Sequence, residues 1–169
     1  MKLIRTVVNL VAPVTLSLAL VVAPLSVGAE MTAAQSWGKQ IYFEGTSPTG
    51  GEITASVGTE GVSLPASAVP CASCHGSDGL GRPEGGIIPP DIRWSEMTKV
   101  YGHVHEDGRK HKAFDENSVA RLIRTGLDPD SNRLDTSMPL YNMSVEDMNS
   151  LVAYMRFLEQ DWDPGISKD

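Results

Sequence analysis

The sequence predicts an all-α domain of three to five helices with long irregular connections and a small β-hairpin insertion. Three observations carry that prediction. Apolar residues recur at helical spacing in three separate segments, each with start and stop signals. The stretches between them are rich in Gly, Pro, Ser and Asp and are long for so small a domain. Two cysteines and a histidine stand together in one five-residue window, at 71–75.

The 169 residues carry 41% apolar and 21% charged side chains, within the range of an ordinary globular chain, and the length suits one domain. The first 29 residues are expected not to join it. Lys2 and Arg5 give a short positive start, Val7 to Val22 is almost wholly apolar, and Val27-Gly28-Ala29 supplies small residues for cleavage. That is the pattern of a secretory signal peptide, with residues 30–169 as the exported domain. The alternative is a retained membrane anchor, against which stand Pro13, Pro24 and the lack of a basic flank. Cleavage after Ala29 leaves 12 basic and 21 acidic side chains, a net charge of −9. Such a surface disfavours nucleic acid and anionic lipid, and suits a partner with a basic docking patch or simply keeps the protein soluble.

The first helix is expected over Ala33–Phe43, capped by Thr32, closed by Gly45, with Trp37, Ile41 and Tyr42 on one face. Thr46–Pro70 reads as an insertion or surface loop, and the weak alternation over Glu52–Val57 as one strand of a hairpin. A short helix is expected within Asp91–Tyr101. Gly102–Ala113 reads as a polar loop holding His103, His105 and His111, a solvated cluster in preference to a metal site. Asp115 starts a helix through Thr125 with Val119, Leu122 and Ile123 as its buried stripe and Gly126 as its stop. Leu127–Asn142 is again loop. Ser144 and Asp147 approximate a capping box for the last helix, whose apolar positions are Leu151, Tyr154, Met155 and Leu158 before the break at 161–165. A large bound cofactor would explain connections this long, because it supplies core that the side chains do not.

Cys71-Ala72-Ser73-Cys74-His75 is the attachment signature of c-type haem. Cys71 and Cys74 lie about one helical turn apart, so each sulfur can form a thioether to one vinyl group on the same haem edge. His75 follows at once and presents its ring to the iron as the proximal ligand. The export signal agrees, because such attachment takes place outside the cytoplasm. A thioredoxin-like dithiol would need a βαβ setting, and structural zinc would need four ligands. The distal iron ligand is expected to be Met138, in a loop 63 positions beyond His75 and stiffened by Pro139. Ser137 and Tyr141 flank it with hydrogen-bonding groups. Met143 is the closest rival; Met148 and Met155 read as core filler, and Met31 and Met97 have no comparable setting.

From Cys71–Gly76 through Met138-Pro139 to the Leu151/Tyr154 helix, the chain resembles a monohaem class I bacterial cytochrome c. The resemblance implies the cytochrome c fold, with an N-terminal helix crossing a C-terminal one. It implies that Gly38 permits the close approach, with Tyr42 or Phe43 packed on Leu151 and Tyr154. It also implies that a backbone carbonyl at Pro89 or Pro90 orients His75. The long segments 46–70 and 102–113 depart from compact family members and are expected to shape a docking surface in at least one case.

With both axial positions filled, the expected function is periplasmic electron transfer by one covalent haem c, without enzymatic activity. Two alternatives remain open. One is an electron-transfer subunit of a larger periplasmic dehydrogenase or oxidase complex. The other is a ligand-binding sensor, should Met138 be displaceable.

Overall fold

A computed structural model of the chain describes residues 30–105 and 108–161. The leader assigned to 1–29 and nearly all of the helix break at 161–165 lie outside the described residues. The fold begins with helix α1, Ala33–Glu44, which starts at a reciprocal cap: Thr32 Oγ1 accepts from the Gln35 N–H, and Gln35 Oε1 accepts from the Thr32 N–H. This box satisfies two of the donors that a helix start leaves unpaired. Its partner is α5, Val145–Met155, capped by Ser144, whose hydroxyl oxygen accepts from the Asp147 N–H at 3.0 Å.

The two helices cross where Gly38 lies. A Cβ there would stand 1.9 Å from the Ser150 carbonyl oxygen and 2.6 Å from Tyr154 Cβ. Around the crossing Ile41, Tyr42, Leu151 and Tyr154 are buried, with the Tyr42 and Tyr154 rings 5.6 Å apart and the Tyr42 and Phe43 rings edge-to-face at 5.2 Å. Full burial of side chains this size stabilises by about 1.5–3 kcal/mol each. Trp37 departs from expectation. It is 39% exposed, because the face turned to α5 runs through Gly38, Ile41 and Tyr42 and leaves Trp37 at its edge.

Segment 46–70 is more than a surface loop. Strands β1 (Thr54–Val57) and β2 (Val62–Pro65) form the expected hairpin, and Ile53, Ala55 and Ala66 join the core. A third strand, β5 (Leu140–Asn142), lies antiparallel to β1 with Ala55 opposite Tyr141, so the sheet order is β2-β1-β5. Short helices α2 (Cys71–His75) and α3 (Trp94–Met97) follow the hairpin. Strands β3 (His103–Val104) and β4 (Lys110–His111) then pair as a second small sheet. Helix α4, Glu116–Thr125, has the expected Asp115 cap, buries Val119 and Ile123, and ends at Gly126. After a turn at Arg156-Phe157 the last element is α6, Leu158–Asp161. The expectation of an all-α chain with three to five helices is thus corrected: the described residues hold six α-helices, three of them only four or five residues long, one 3-10 turn at Ala66–Ala68, and five short strands.

The loop after α4 is built on Asp128, which is fully buried. Its carboxylate accepts from the backbone N–H groups of Asp130 and Asn132, from Asn132 Nδ2 and from Arg109 Nη1 at 3.1 Å, while Arg121 donates to its backbone carbonyl. Burial alone would raise this carboxyl; the bonds from Asn132 and Arg109 outweigh it and hold the group below its ordinary range. A depressed folded-state pKa stabilises the fold above the unfolded value near ~3.9, and that stability drains as pH falls through the folded value. Asp128→Asn is therefore expected to cost about 3 kcal/mol at pH 7 and clearly less at pH 3, read from urea unfolding at both. An equal loss at the two pH values would contradict this account.

Candidate haem site

Helix α2 begins directly at Cys71, after Pro70, and its five residues hold both thiols and the histidine. Cys71 and Cys74 are not joined to each other. Burial pushes the Cys71 thiol up to about 12, the opposite of the acidified thiol that a Cys-x-x-Cys oxidoreductase uses. Two contacts hold the ends of this helix. Tyr141 Oη donates to the Val69 carbonyl at 2.5 Å, just ahead of it, and Tyr42 Oη donates to the Gly76 carbonyl at 2.8 Å, just after it. Tyr141 therefore anchors the motif's entrance; the pattern of flanking residues around Met138 alone did not show this.

His75 is 8% exposed, and its Nδ1 lies 3.3 Å from the Pro90 carbonyl oxygen. A carbonyl only accepts, so Nδ1 carries the proton and the Nε2 lone pair is left for a metal. Burial also lowers the pKa of the ring, which favours the neutral form that ligation needs. Of the two prolines considered, Pro90 holds the orienting place. The loop that brings it there closes on α2 through bonds from the Gly81 and Arg82 N–H groups to the His75 and Cys74 carbonyls. Gly81 has φ 84°, and a Cβ on it would stand 2.2 Å from the Pro89 carbonyl oxygen, so only glycine lets the proline segment approach.

Two apolar cavities adjoin at this histidine, one of about 530 Å³ and one of about 220 Å³. They share Cys71, His75, Pro90, His105, Arg109, Leu134 and Met138 as walls. Cys74, Val57, Leu64, Pro139 and Tyr141 close the larger one; Met97, Val119, Leu151 and Met155 close the smaller. Met138 is half-buried and, of the methionines, lines both. Met143 lines neither and is packed in the core, whereas Met97, which had no distinguishing sequence setting, borders the smaller cavity. The two cysteines, His75 and Met138 are thus brought to one hollow of cofactor size.

The histidine loop is not solvated as expected. His103, His105 and His111 pack together with ring centroids 5.1–6.1 Å apart, His103 stacked on His111 and His105 tilted against both, and His111 is buried against Phe114. His111 Nδ1 meets the Lys112 carbonyl at 2.7 Å and so donates; its Nε2 then accepts from His105 Nε2 at 3.0 Å. His103 Nε2 donates to the Glu96 carbonyl at 2.7 Å. Among the described residues no group of three or more His, Cys, Asp or Glu side chains is placed to hold a metal ion. The packed ring cluster closes one side of the smaller cavity.

Two thiols at thioether spacing, an imidazole with a free Nε2 and a hollow lined by carbon define a protein able to bind haem covalently. The residues present fit that group. The family model for cytochrome c matches residues 66–159, more than half of the chain, and the chain belongs to the cytochrome c family. Membership implies covalently bound haem c and haem-based electron transfer. No curated protein and no solved structure matches the chain.

Proposed function

We propose that the protein is a periplasmic one-electron carrier with a single haem c, attached through Cys71 and Cys74 and ligated by His75 and Met138. The observation that carries the reading is the common hollow: both candidate axial ligands border the two cavities that meet at the Cys-x-x-Cys-His helix. The bound haem supplies the ferric/ferrous couple. Pro90 fixes the His75 ring, Pro139 stiffens the backbone after Met138, and the apolar walls exclude water, so the ligand set changes little between the two oxidation states. With His75 and Met138 both holding the iron, no position would be left for substrate, which favours a carrier over an enzyme or gas sensor. The exported chain is acidic, and Ile87 and Ile88 stand exposed at the rim of the larger cavity. These features suit transient contact with redox proteins that present a basic patch.

The test is intact mass and a visible spectrum on protein from a periplasmic fraction. The expected mass is that of residues 30–169 plus one haem that survives denaturation, with the weak far-red band of methionine–iron ligation in the ferric form. A colourless protein made beside a working haem-attachment system would overturn the reading. A high-spin spectrum would overturn Met138.

A further inference from the structure

Met138 sits between two fixed parts of the chain. Ahead of it, the Leu134 N–H donates to the Gly126 carbonyl at 2.8 Å, which ties the segment to the loop built on buried Asp128. Beyond it, β5 begins at Leu140 and pairs with β1. In between, Asp135, Thr136 and Ser137 are exposed and belong to no helix or strand, so packing does little to fix that stretch. Hydrogen bonds do. The Ser137 N–H donates to Asp135 Oδ1 at 2.8 Å, and the Met138 N–H donates to the Asp135 carbonyl at 3.2 Å. Pro139 has no N–H, so both N–H groups of residues 137–139 end on Asp135. A carbonyl bonded to the N–H three residues on closes a β-turn, and a short acidic side chain at the first position closes it a second time. Asp135 also lines the larger cavity, beside Ser137, Met138 and Pro139.

We propose that Asp135 is the positioning residue for the distal ligand: its doubly bonded turn holds Met138 at the iron and keeps small ligands from the sixth coordination position. This rests on the haem ligation proposed above. Pro139 restricts the residue before it to extended backbone, so the freedom left to Met138 lies upstream, in the turn. A turn tied by one bond opens more readily than a turn tied by two. Release of the sulfur therefore waits on Asp135, a residue that itself donates nothing to the iron. The same exposed side chain separates the carrier from the ligand-binding sensor, because a small molecule gains the sixth position only when this turn opens.

The experiment follows imidazole replacing the methionine in ferric holoprotein, by loss of the far-red band after rapid mixing. At saturating imidazole the rate is that of sulfur release. Asp135→Ala deletes the side-chain bond and is expected to speed release about 3–10-fold, the worth of one such hydrogen bond. Asp135→Asn keeps the acceptor oxygen without the charge and is expected to stay within about twofold of wild type. In the Met138→Ala background, Asp135→Ala is expected to leave the imidazole affinity unchanged, because nothing remains for the turn to position. Unaltered release in Asp135→Ala would overturn the proposal. So would release from Asp135→Asn as fast as from Asp135→Ala, which would assign the effect to charge. A changed imidazole affinity in the Met138→Ala background would overturn it too, by showing that Asp135 acts on the hollow at large. Should Asp135→Ala not load haem, Asp135→Glu displaces the acceptor by one methylene and serves the same comparison. Failure of the haem reading is distinct, because wild-type protein would then carry no haem, or show no far-red band, before any variant was made.

Discussion

Gly38→Ala is expected to cost at least ~4 kcal/mol or to prevent folding, the far end of what a single methyl group can do. Ordinary overpacking costs about 1–3 kcal/mol because neighbouring side chains turn aside. Here the obstacles are the Ser150 carbonyl, 1.9 Å from the new Cβ, and the Tyr154 Cβ at 2.6 Å, neither of which has a rotamer to change. The axes of α1 and α5 would have to separate, loosening Tyr42, Leu151 and Tyr154 together. Tyr42 also holds the Gly76 carbonyl at the end of α2, so the damage would reach the haem motif. Gly51→Ala is the matched control: its nearest neighbour is 3.6 Å away, so a change within about ±0.5 kcal/mol is expected. Urea unfolding of both variants decides the matter. Equal stability would mean that the helix crossing is not held at van der Waals contact.

Met138→Ala carries the second large effect. With the proposed ligand removed, the ferric protein is expected to lose its far-red band, become high-spin and bind carbon monoxide when reduced. The midpoint potential is expected to fall by on the order of 0.1 V, a fraction of the roughly 0.8 V that axial ligands command. The fold should survive, since Met138 is only half-buried and lies between helices. An unaltered band and potential would move the distal ligand to Met97 or Met155, the other methionines bordering the smaller cavity.

Local chemistry made much of this molecule readable. Thr32, Asp115 and Ser144 all cap the helices they were expected to cap, because capping depends on residues three positions apart. The haem motif is legible for the same reason: its atoms are covalently close. What escaped was set by distant partners. Trp37 looked internal from its own helix, but α5 chose the Gly38 side. Strand β5 is three residues, Leu-Tyr-Asn, with no pattern of its own; it exists because Ala55, far earlier in the chain, pairs with Tyr141. The same holds for the histidine loop, where separate rings looked solvated until the β3–β4 pairing set His103 opposite His111. Asp128 could have been suspected from the Asp-Pro-Asp-Ser-Asn run, whose short polar side chains favour turns, though not its bond to Arg109.

The pairing of β1 with β5 ties residues that precede the haem motif to the segment that directly follows Met138-Pro139. On the ligation proposed above, release of the Met138 sulfur from iron is expected to require the β1–β5 pairing to open as well, so that the two events form one cooperative opening unit. Amide hydrogens on the β1–β5 ladder should accordingly exchange at the same rate as the methionine dissociates, and shortening the 46–70 segment should speed both.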